Sequence, residues 1–137
     1  MVLQCACWDV FRELGKSDIP TIVSILADAA QVYEEEVAAQ LMVTAEEVAA
    51  EMERGARYFG SEMTGDLVAV CAVEEREAGF TLTRLGVLPP LQGFGVGGML
   101  VRDLIKEVAK ECPLTVRLPE ALAGLQAWFE RMGVGRG

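Results

Sequence analysis

Histidine is absent from this chain of 137 residues. Its absence excludes a Ser-His-Asp or Cys-His catalytic pair, an imidazole general base, and any zinc or iron site that uses histidine ligands. Carboxylates, hydroxyls, thiols or backbone groups must therefore carry whatever chemistry the protein performs.

Basic residues are also scarce, because 12 Lys and Arg stand against 21 Asp and Glu and give a formal net charge of -9. Such a charge repels the phosphates of nucleic acids and anionic membrane surfaces. We therefore expect neither a nucleic acid nor a membrane as a partner. Cationic or amine-bearing partners are favoured instead, although an acidic surface is equally a common device for solubility.

Long apolar runs are missing as well. No segment approaches the ~18 apolar residues of a membrane span, and residues 1–10 lack the basic and apolar regions of a signal peptide. The cysteines show neither zinc-finger spacing nor a CxxC redox pair; they are Cys5, Cys7, Cys71 and Cys112. We therefore interpret the chain as a cytoplasmic protein with reduced thiols and expect no metal site.

Hydrophobic spacing predicts one mixed α/β domain over residues 1–137, since a chain of this length can bury a self-sufficient core. Apolar residues follow a helical period in much of the first third and an alternating period from Tyr58 onward. The predicted order is β-α-α-β-β-β-α-β-α, with a mostly antiparallel sheet flanked by helices. The predicted strands are 8–14, 58–63, 67–75, 80–88 and 114–117.

A glycine-rich loop separates the fourth of these strands from a predicted helix. Residues 93–98 contain four glycines. Unpaired N–H groups and the helix dipole converge at such a position and favour an anion such as phosphate. Glycines let the anion approach the backbone closely. The loop therefore predicts a phosphate-binding site.

A dinucleotide site is the first alternative for this loop, because Gly93, Gly95 and Gly98 satisfy the pattern GxGxxG. That pattern belongs in a βαβ unit with an acidic residue about 20 positions further on. Here the preceding strands are predicted as hairpins, and two prolines separate strand from loop. A P-loop is excluded because Gly-Lys-Ser/Thr is absent. A Rossmann-like nucleotide-binding protein remains a minor hypothesis.

The same segment resembles the acetyl-CoA motif of the GNAT N-acetyltransferase superfamily. The sequence Leu-Gly-Val precedes Pro89, and Gln-Gly-Phe-Gly-Val-Gly follows at 92–97. Residues 8–20 resemble the first strand and helix of that family, and residues 128–134 resemble its late helix. The resemblance implies a GNAT-type sheet and acetyl-CoA as cofactor. It also implies an N-acetyltransferase reaction, in which a primary amine of a small molecule or peptide directly attacks the thioester of acetyl-CoA.

The resemblance assigns the cofactor site to the end of the strand and to the loop. A backbone N–H near Val87 is the implied oxyanion donor, and it requires no particular side chain. The implied cofactor-binding residues are Leu85, Gly86, Val87, Leu88, Gln92, Gly93, Phe94, Gly95, Val96, Gly97 and Gly98.

Side-chain chemistry departs from the family pattern. A strand glutamate of the family falls on Thr81 and Thr83, and its tyrosine general acid falls on Phe129. Glu74 and Glu75 are the remaining candidates for a general base, acting directly or through water. These departures motivate a second hypothesis from another class, a CoA-binding regulatory module that is catalytically weak or inactive.

Two further expectations concern the acceptor side. The usual C-terminal hairpin of the family is lacking, so we expect either an open site or an edge completed by a second copy in a homodimer. Residues 33–36, Tyr-Glu-Glu-Glu, fall where the family has substrate-facing helices. They form either an acidic pocket for a cationic amine or a solvated run of charges. The acceptor itself stays open.

Overall fold

The computed structural model describes residues 10–136, which fold around one sheet of six strands. Short 3-10 segments and one π-helical turn, Ile105–Ala109, complete the connections. The helices and strands are β1 Val10–Leu14, α1 Ile19–Ala30, α2 Glu35–Leu41, α3 Ala45–Glu53, β2 Arg57–Met63, β3 Asp66–Arg76, β4 Gly79–Val87, α4 Val96–Leu104, β5 Leu114–Val116, α5 Gln126–Arg131 and β6 Val134–Arg136.

The strands lie side by side in chain order, from β1 to β6. The first three pairings are antiparallel, whereas β4–β5 and β5–β6 are parallel. The predicted mostly antiparallel sheet is therefore confirmed. A Rossmann domain is wrong for this chain, because its glycine-rich loop would follow the first strand of a parallel sheet.

Helices cover both faces of the sheet and create two hydrophobic cores. On one face α1 and α3 pack through Ile22, Leu26 and Val48. On the other face α4 and α5 pack through buried residues such as Leu100 and Phe129. Within residues 10–136, no helix combines the length and apolarity that crossing a bilayer requires.

Local signals in the sequence account for several helix ends. Pro20 lies in the first turn of α1, where its missing N–H has no helical partner to lose. Thr44 and Glu47 form the predicted capping box of α3, since each side chain bonds the other's backbone N–H. Gly133 has a φ of +96° directly after α5 and ends that helix as predicted.

The C-terminal part of the chain departs from the sequence prediction. The helix expected from residue 120 begins as a 3-10 segment, Glu120–Leu125, and is α-helical only over Gln126–Arg131. Strand β6 was not predicted, because three residues are too few to show alternation. It pairs in parallel with β5, with Leu114 opposite Val134. Residues 8 and 9 of the predicted first strand lie outside the described residues.

Ser61 offers a test of this packing. Its side chain is 1% exposed, and within the described part of the chain its hydroxyl has no hydrogen-bond partner. Burying an unpaired hydroxyl is unfavourable, so we expect Ser61→Ala to raise the free energy of unfolding by about 0.5–1.5 kcal/mol. Urea unfolding measures this change. A loss of stability in Ser61→Ala would show that the hydroxyl is paired.

Candidate active site

A β-bulge in β4 separates that strand from β5. The β3–β4 register shifts so that Ala72 faces Arg84 while Val73 faces Leu82, which leaves Thr83 as the extra residue. The Thr83 hydroxyl donates to the Ala72 carbonyl over 3.3 Å. A bulge bends and twists its strand. Pairing with β5 extends only from Phe80 to Leu82, so the two strands separate directly at the bulge.

The separation exposes the backbone edge of β4. The Leu88 N–H donates to the Val68 carbonyl over 3.0 Å, which fixes the side of β4 that bonds β3. By antiparallel alternation, the N–H and C=O groups of Leu85 and Val87 point to the opposite side, toward β5. The Gln92 Nε2 donates to the Val87 carbonyl over 2.9 Å. This bond holds the peptide group next to the loop.

A cleft of about 340 Å³ lies between the separated strands. Its floor is β4 from Leu82 to Val87. One wall is built from the chain after β5 and from α5, including Trp128 and Phe129. The other wall is the end of α1 together with Tyr33 and Leu41. The cleft therefore opens toward helices on both faces of the sheet.

The glycine-rich loop adjoins this cleft at the start of α4. Gly93 and Gly95 have φ values of +88° and +84°, which an L side chain adopts only under strain. Gly95 is the N-cap of α4, and no side chain caps the helix there. The first N–H groups of α4 have no helical partner. They lie at the positive end of a nine-residue helix, where an anion is favoured on physical grounds.

Two glycines next to the cleft allow close approaches that a side chain would prevent. A Cβ added to Gly97 would lie 3.3 Å from Cγ2 of Val87 and 3.8 Å from the Trp128 ring, so any side chain there would fill the space above β4. A Cβ added to Gly86 would lie 2.9 Å from Cδ2 of Leu26. Gly86 therefore lets α1 pack directly against β4.

An ion pair fixes the one cation on the cleft floor. The Arg84 Nη2 lies 2.5 Å from the Glu51 carboxylate, whose second oxygen accepts the Tyr58 hydroxyl. Burial alone would raise the pKa of Glu51, but the bonds from Arg84 and Tyr58 outweigh it and hold that pKa below its usual value. Burial and the neighbouring carboxylate raise the pKa of Tyr58. Burial alone would lower the pKa of Arg84, but the bond to Glu51 and its charge outweigh burial, so that pKa is raised.

Comparison with solved structures identifies this architecture. No protein-family model matches the sequence, and no curated protein matches it. The ribosomal-protein-S18-alanine N-acetyltransferase of Escherichia coli matches with a TM-score of 0.75 and 20% identity, covering 91% of this chain and 76% of that one. The chain has the GNAT fold. The GNAT-type sheet that the glycine-rich motif implied is thereby confirmed.

Two acetyltransferase structures that contain coenzyme A or acetyl-CoA are also similar. The PaiA N-acetyltransferase of Thermoplasma acidophilum in complex with coenzyme A has a TM-score of 0.66 and 18% identity, covering 90% of this chain and 87% of that one. A GNAT family acetyltransferase of Brucella melitensis in complex with acetyl-CoA has a TM-score of 0.65 and 21% identity, covering 93% and 82%.

Five of the eleven predicted cofactor residues line the cleft, and the candidate bases do not. Leu85, Gly86, Val87, Gln92 and Gly97 line the cleft. The other predicted positions are Leu88 next to β4, Gly93 to Gly95 in the loop, and Val96 and Gly98 in the first turn of α4; Phe94 is 76% exposed.

Glu74 and Glu75 do not line the cleft. They pair with Thr81 and Phe80 near the β3–β4 turn. The Glu74 carboxylate bonds Arg76 over 2.7 Å.

Of the other residues considered from the sequence, some line the cleft and others do not. Phe129 and Thr83 line the cleft. Thr81 pairs with Thr115 of β5 and lies below the separation. Cys71 is fully buried in β3, and burial raises the pKa of its thiol, which leaves it a poor nucleophile. Cys112 is exposed, while Cys5 and Cys7 lie outside the described residues.

The sequence prediction missed the two arginines of the cleft. Arg84 and Arg117 both line it. A charged residue inside the apolar strand Thr-Leu-Thr-Arg-Leu-Gly-Val is the signal that could have identified Arg84. Arg117 carried no comparable signal, because a cation just after a strand is most often solvated.

The Arg84–Glu51 pair predicts a pH-dependent stability. A carboxylate with a depressed folded-state pKa stabilises the fold above its unfolded pKa, and the contribution is lost as the pH falls through the folded pKa. We expect Glu51→Gln to cost about 1–3 kcal/mol at pH 7 and less below about pH 4. Denaturant titrations from pH 3 to 7 measure this. An equal cost across that range would contradict the ion pair.

A side chain at position 97 tests whether the cleft is where the ligand binds. If the cleft holds coenzyme A, Gly97→Val should weaken its binding at least about tenfold, because the added side chain projects into the cleft. Isothermal titration measures the affinity. Gly15→Ala is the matched control, since a Cβ there meets no atom within 4 Å and lies away from the loop. Unchanged affinity in Gly97→Val would place the ligand elsewhere.

Proposed function

We propose that this protein is an N-acetyltransferase that uses acetyl-CoA and acts on a primary amine of a small molecule or peptide. The observation that carries the proposal is the unpaired edge of β4, which faces a cleft that adjoins a glycine-rich helix N-terminus. This arrangement offers backbone donors for an amide-containing arm and for a pyrophosphate within one continuous site. The GNAT fold and the neighbours that hold coenzyme A or acetyl-CoA support it.

The residues present fit such a cofactor. The N–H and C=O of Leu85 can pair with an extended ligand in the way that a further strand would. The loop from Gly93 to Gly98 would hold the pyrophosphate. Bound acetyl-CoA would supply a thioester, whose carbonyl carbon forms a C–N bond with the amine while the C–S bond breaks and the thiolate leaves.

The Val87 N–H is the group that we assign to the thioester oxygen, on which negative charge develops during attack. The Gln92 side chain bonds the carbonyl of the same residue and orients that stretch of backbone. A donor of this kind is fixed before the reaction begins. It needs no side chain, which is compatible with a sequence that lacks histidine.

Proton transfer must follow a different route. Within the described part of the chain, no carboxylate or thiol lines the cleft, and Phe129 has no hydroxyl to offer. The polar groups that do line it are the two arginines, Tyr33, Thr83 and Gln92. We infer that the amine reacts in its neutral form and that water accepts the proton.

Thiol release with acetyl-CoA and a panel of primary amines tests the proposal. We expect release that depends on the amine and stoichiometric acetylated product by mass spectrometry. Acetyl-CoA that binds without any amine-dependent release would support the second candidate, a CoA-binding module without turnover. That no carboxylate or thiol lines the cleft within the described residues favours that candidate.

The pH profile separates a solvent route from a protein base. We expect kcat/KM to rise about tenfold per pH unit below the pKa of the acceptor and to level off above it. The midpoint should move with acceptors of different pKa. A midpoint that stays fixed would indicate a protein group. A loss of about a hundredfold in Glu74→Gln or Glu75→Gln would establish one of those carboxylates as the base.

The homodimer and the cytoplasmic location remain predictions. Strand β6 is an edge of the described sheet, and an unpaired edge is a natural surface for pairing with a second copy. Gel filtration over a range of concentrations tests the homodimer.

A further inference from the structure

The charge of the cleft is opposite in sign to that of the protein. The chain carries a formal net charge of -9, yet the only charged side chains among the described lining residues are Arg84 and Arg117. The acidic run Glu34 to Glu36 is exposed and does not line the cleft. Glu35 and Glu36 lie in the first turn of α2, where the helix dipole stabilises them.

The Arg84 guanidinium is held in place by Glu51 but does not use all of its N–H donors there. Its side chain is 22% exposed, and Glu51 accepts from its Nη2. A guanidinium has five N–H donors, so donors remain for a second acceptor. The Glu51 carboxylate also accepts the Tyr58 hydroxyl, which holds the whole group in place. The ion pair therefore positions the guanidinium at the cleft floor before any ligand arrives.

Arg117 supplies the uncompensated charge. It directly follows β5, is exposed and makes no ion pair among the described residues. The neighbouring strand residue, Val116, is buried on the face of α4 and α5. Arg117 belongs to the wall that the chain after β5 builds, across the cleft from Leu26 and Leu41.

The part of the cleft next to α1 and α2 thus combines two features. Leu26, Ala29 and Leu41 present an apolar surface from α1 and α2. Arg84 lies on the cleft floor and Arg117 on the wall across from them, and their planar guanidinium donors match the geometry of a carboxylate. A cationic acceptor would meet the charges of Arg84 and Arg117 without any lining carboxylate to compensate.

From this arrangement we propose that the acceptor is an amine that carries a carboxylate close to the reacting nitrogen, with Arg117 and Arg84 binding that carboxylate. The inference rests on the proposed acetyltransferase function and specifies its substrate class. A free amino acid and the acidic first residue of a peptide share this chemistry. At long range the acidic surface opposes such an acceptor, but salt screens that effect beyond about 8–10 Å.

Matched pairs of acceptors test the proposal. The first pair is a peptide beginning with Asp and the same peptide beginning with Asn, and the second is β-alanine and β-alaninamide. Each pair keeps the shape while it removes the negative charge. Because the carboxylate also raises the pKa of the amine, kcat/KM is compared per neutral amine. We expect kcat/KM to be about tenfold or more higher for the carboxylate member of at least one pair, and which pair responds identifies the source.

Variants assign that preference to the arginines. We expect Arg117→Gln to reduce the ratio within the responding pair to nearly one, mainly through KM, and Arg117→Lys to restore part of it. Arg136→Gln removes the same charge from β6, outside the cleft, and should leave the ratio unchanged. Loss of Arg84 also leaves Glu51 unpaired, so Arg84→Lys, which keeps the charge, is the variant to use at that position.

A binding experiment separates this inference from the proposed function. The acetylated Asp and Asn peptides are titrated into the CoA complex, with no turnover required. Tighter binding of the acetyl-Asp peptide that depends on Arg117 supports the inference even if no amine gives thiol release. Turnover or binding with equal preference for both members of each pair, or a preference that survives Arg117→Gln, would overturn it.

Discussion

The separation of β4 from β5 is the constraint on which the rest of the site depends. One extra residue, Thr83, ends the pairing of two parallel strands after three residues of contact. The exposed edge of β4 would be a liability in an ordinary sheet, since unpaired N–H and C=O groups invite other strands. Here the helices on both faces enclose that edge within a cleft. A backbone irregularity thereby leaves unpaired donors and acceptors facing a cleft.

The chemistry available in this cleft is largely backbone chemistry. The Val87 N–H, the edge of Leu85 and the first turn of α4 all offer donors that no substitution of a side chain removes directly. Under the proposed function, these groups would hold the acyl donor and stabilise the oxyanion without a histidine. They would also do so without a hydroxyl at Phe129.

Sequence reasoning succeeded where the signal was local. The three long antiparallel strands were predicted within one or two residues, because each shows an apolar run bounded by turn residues such as Thr64 and Gly65. The glycine-rich loop was located from composition alone. The positive φ values of Gly93 and Gly95, which glycine adopts without strain, now give the physical reason for that composition.

Features that depend on distant partners were not predictable. The bulge at Thr83 is defined only by the register with β3. The Arg84–Glu51 pair joins residues 33 positions apart, so neither sequence neighbourhood reveals the other. The cleft excludes Glu74 and Glu75 because the sheet places them at the far turn of β3. Their position near a strand end had suggested a role that only the topology could test.

The most direct test of the account is amide hydrogen exchange with and without acetyl-CoA, followed residue by residue. The account predicts new protection of the Leu85 and Val87 N–H groups together with those of residues 93–98, because a bound ligand would pair with the edge of β4 and with the loop. Saturating binding that leaves the Leu85 and Val87 amides unprotected would contradict it.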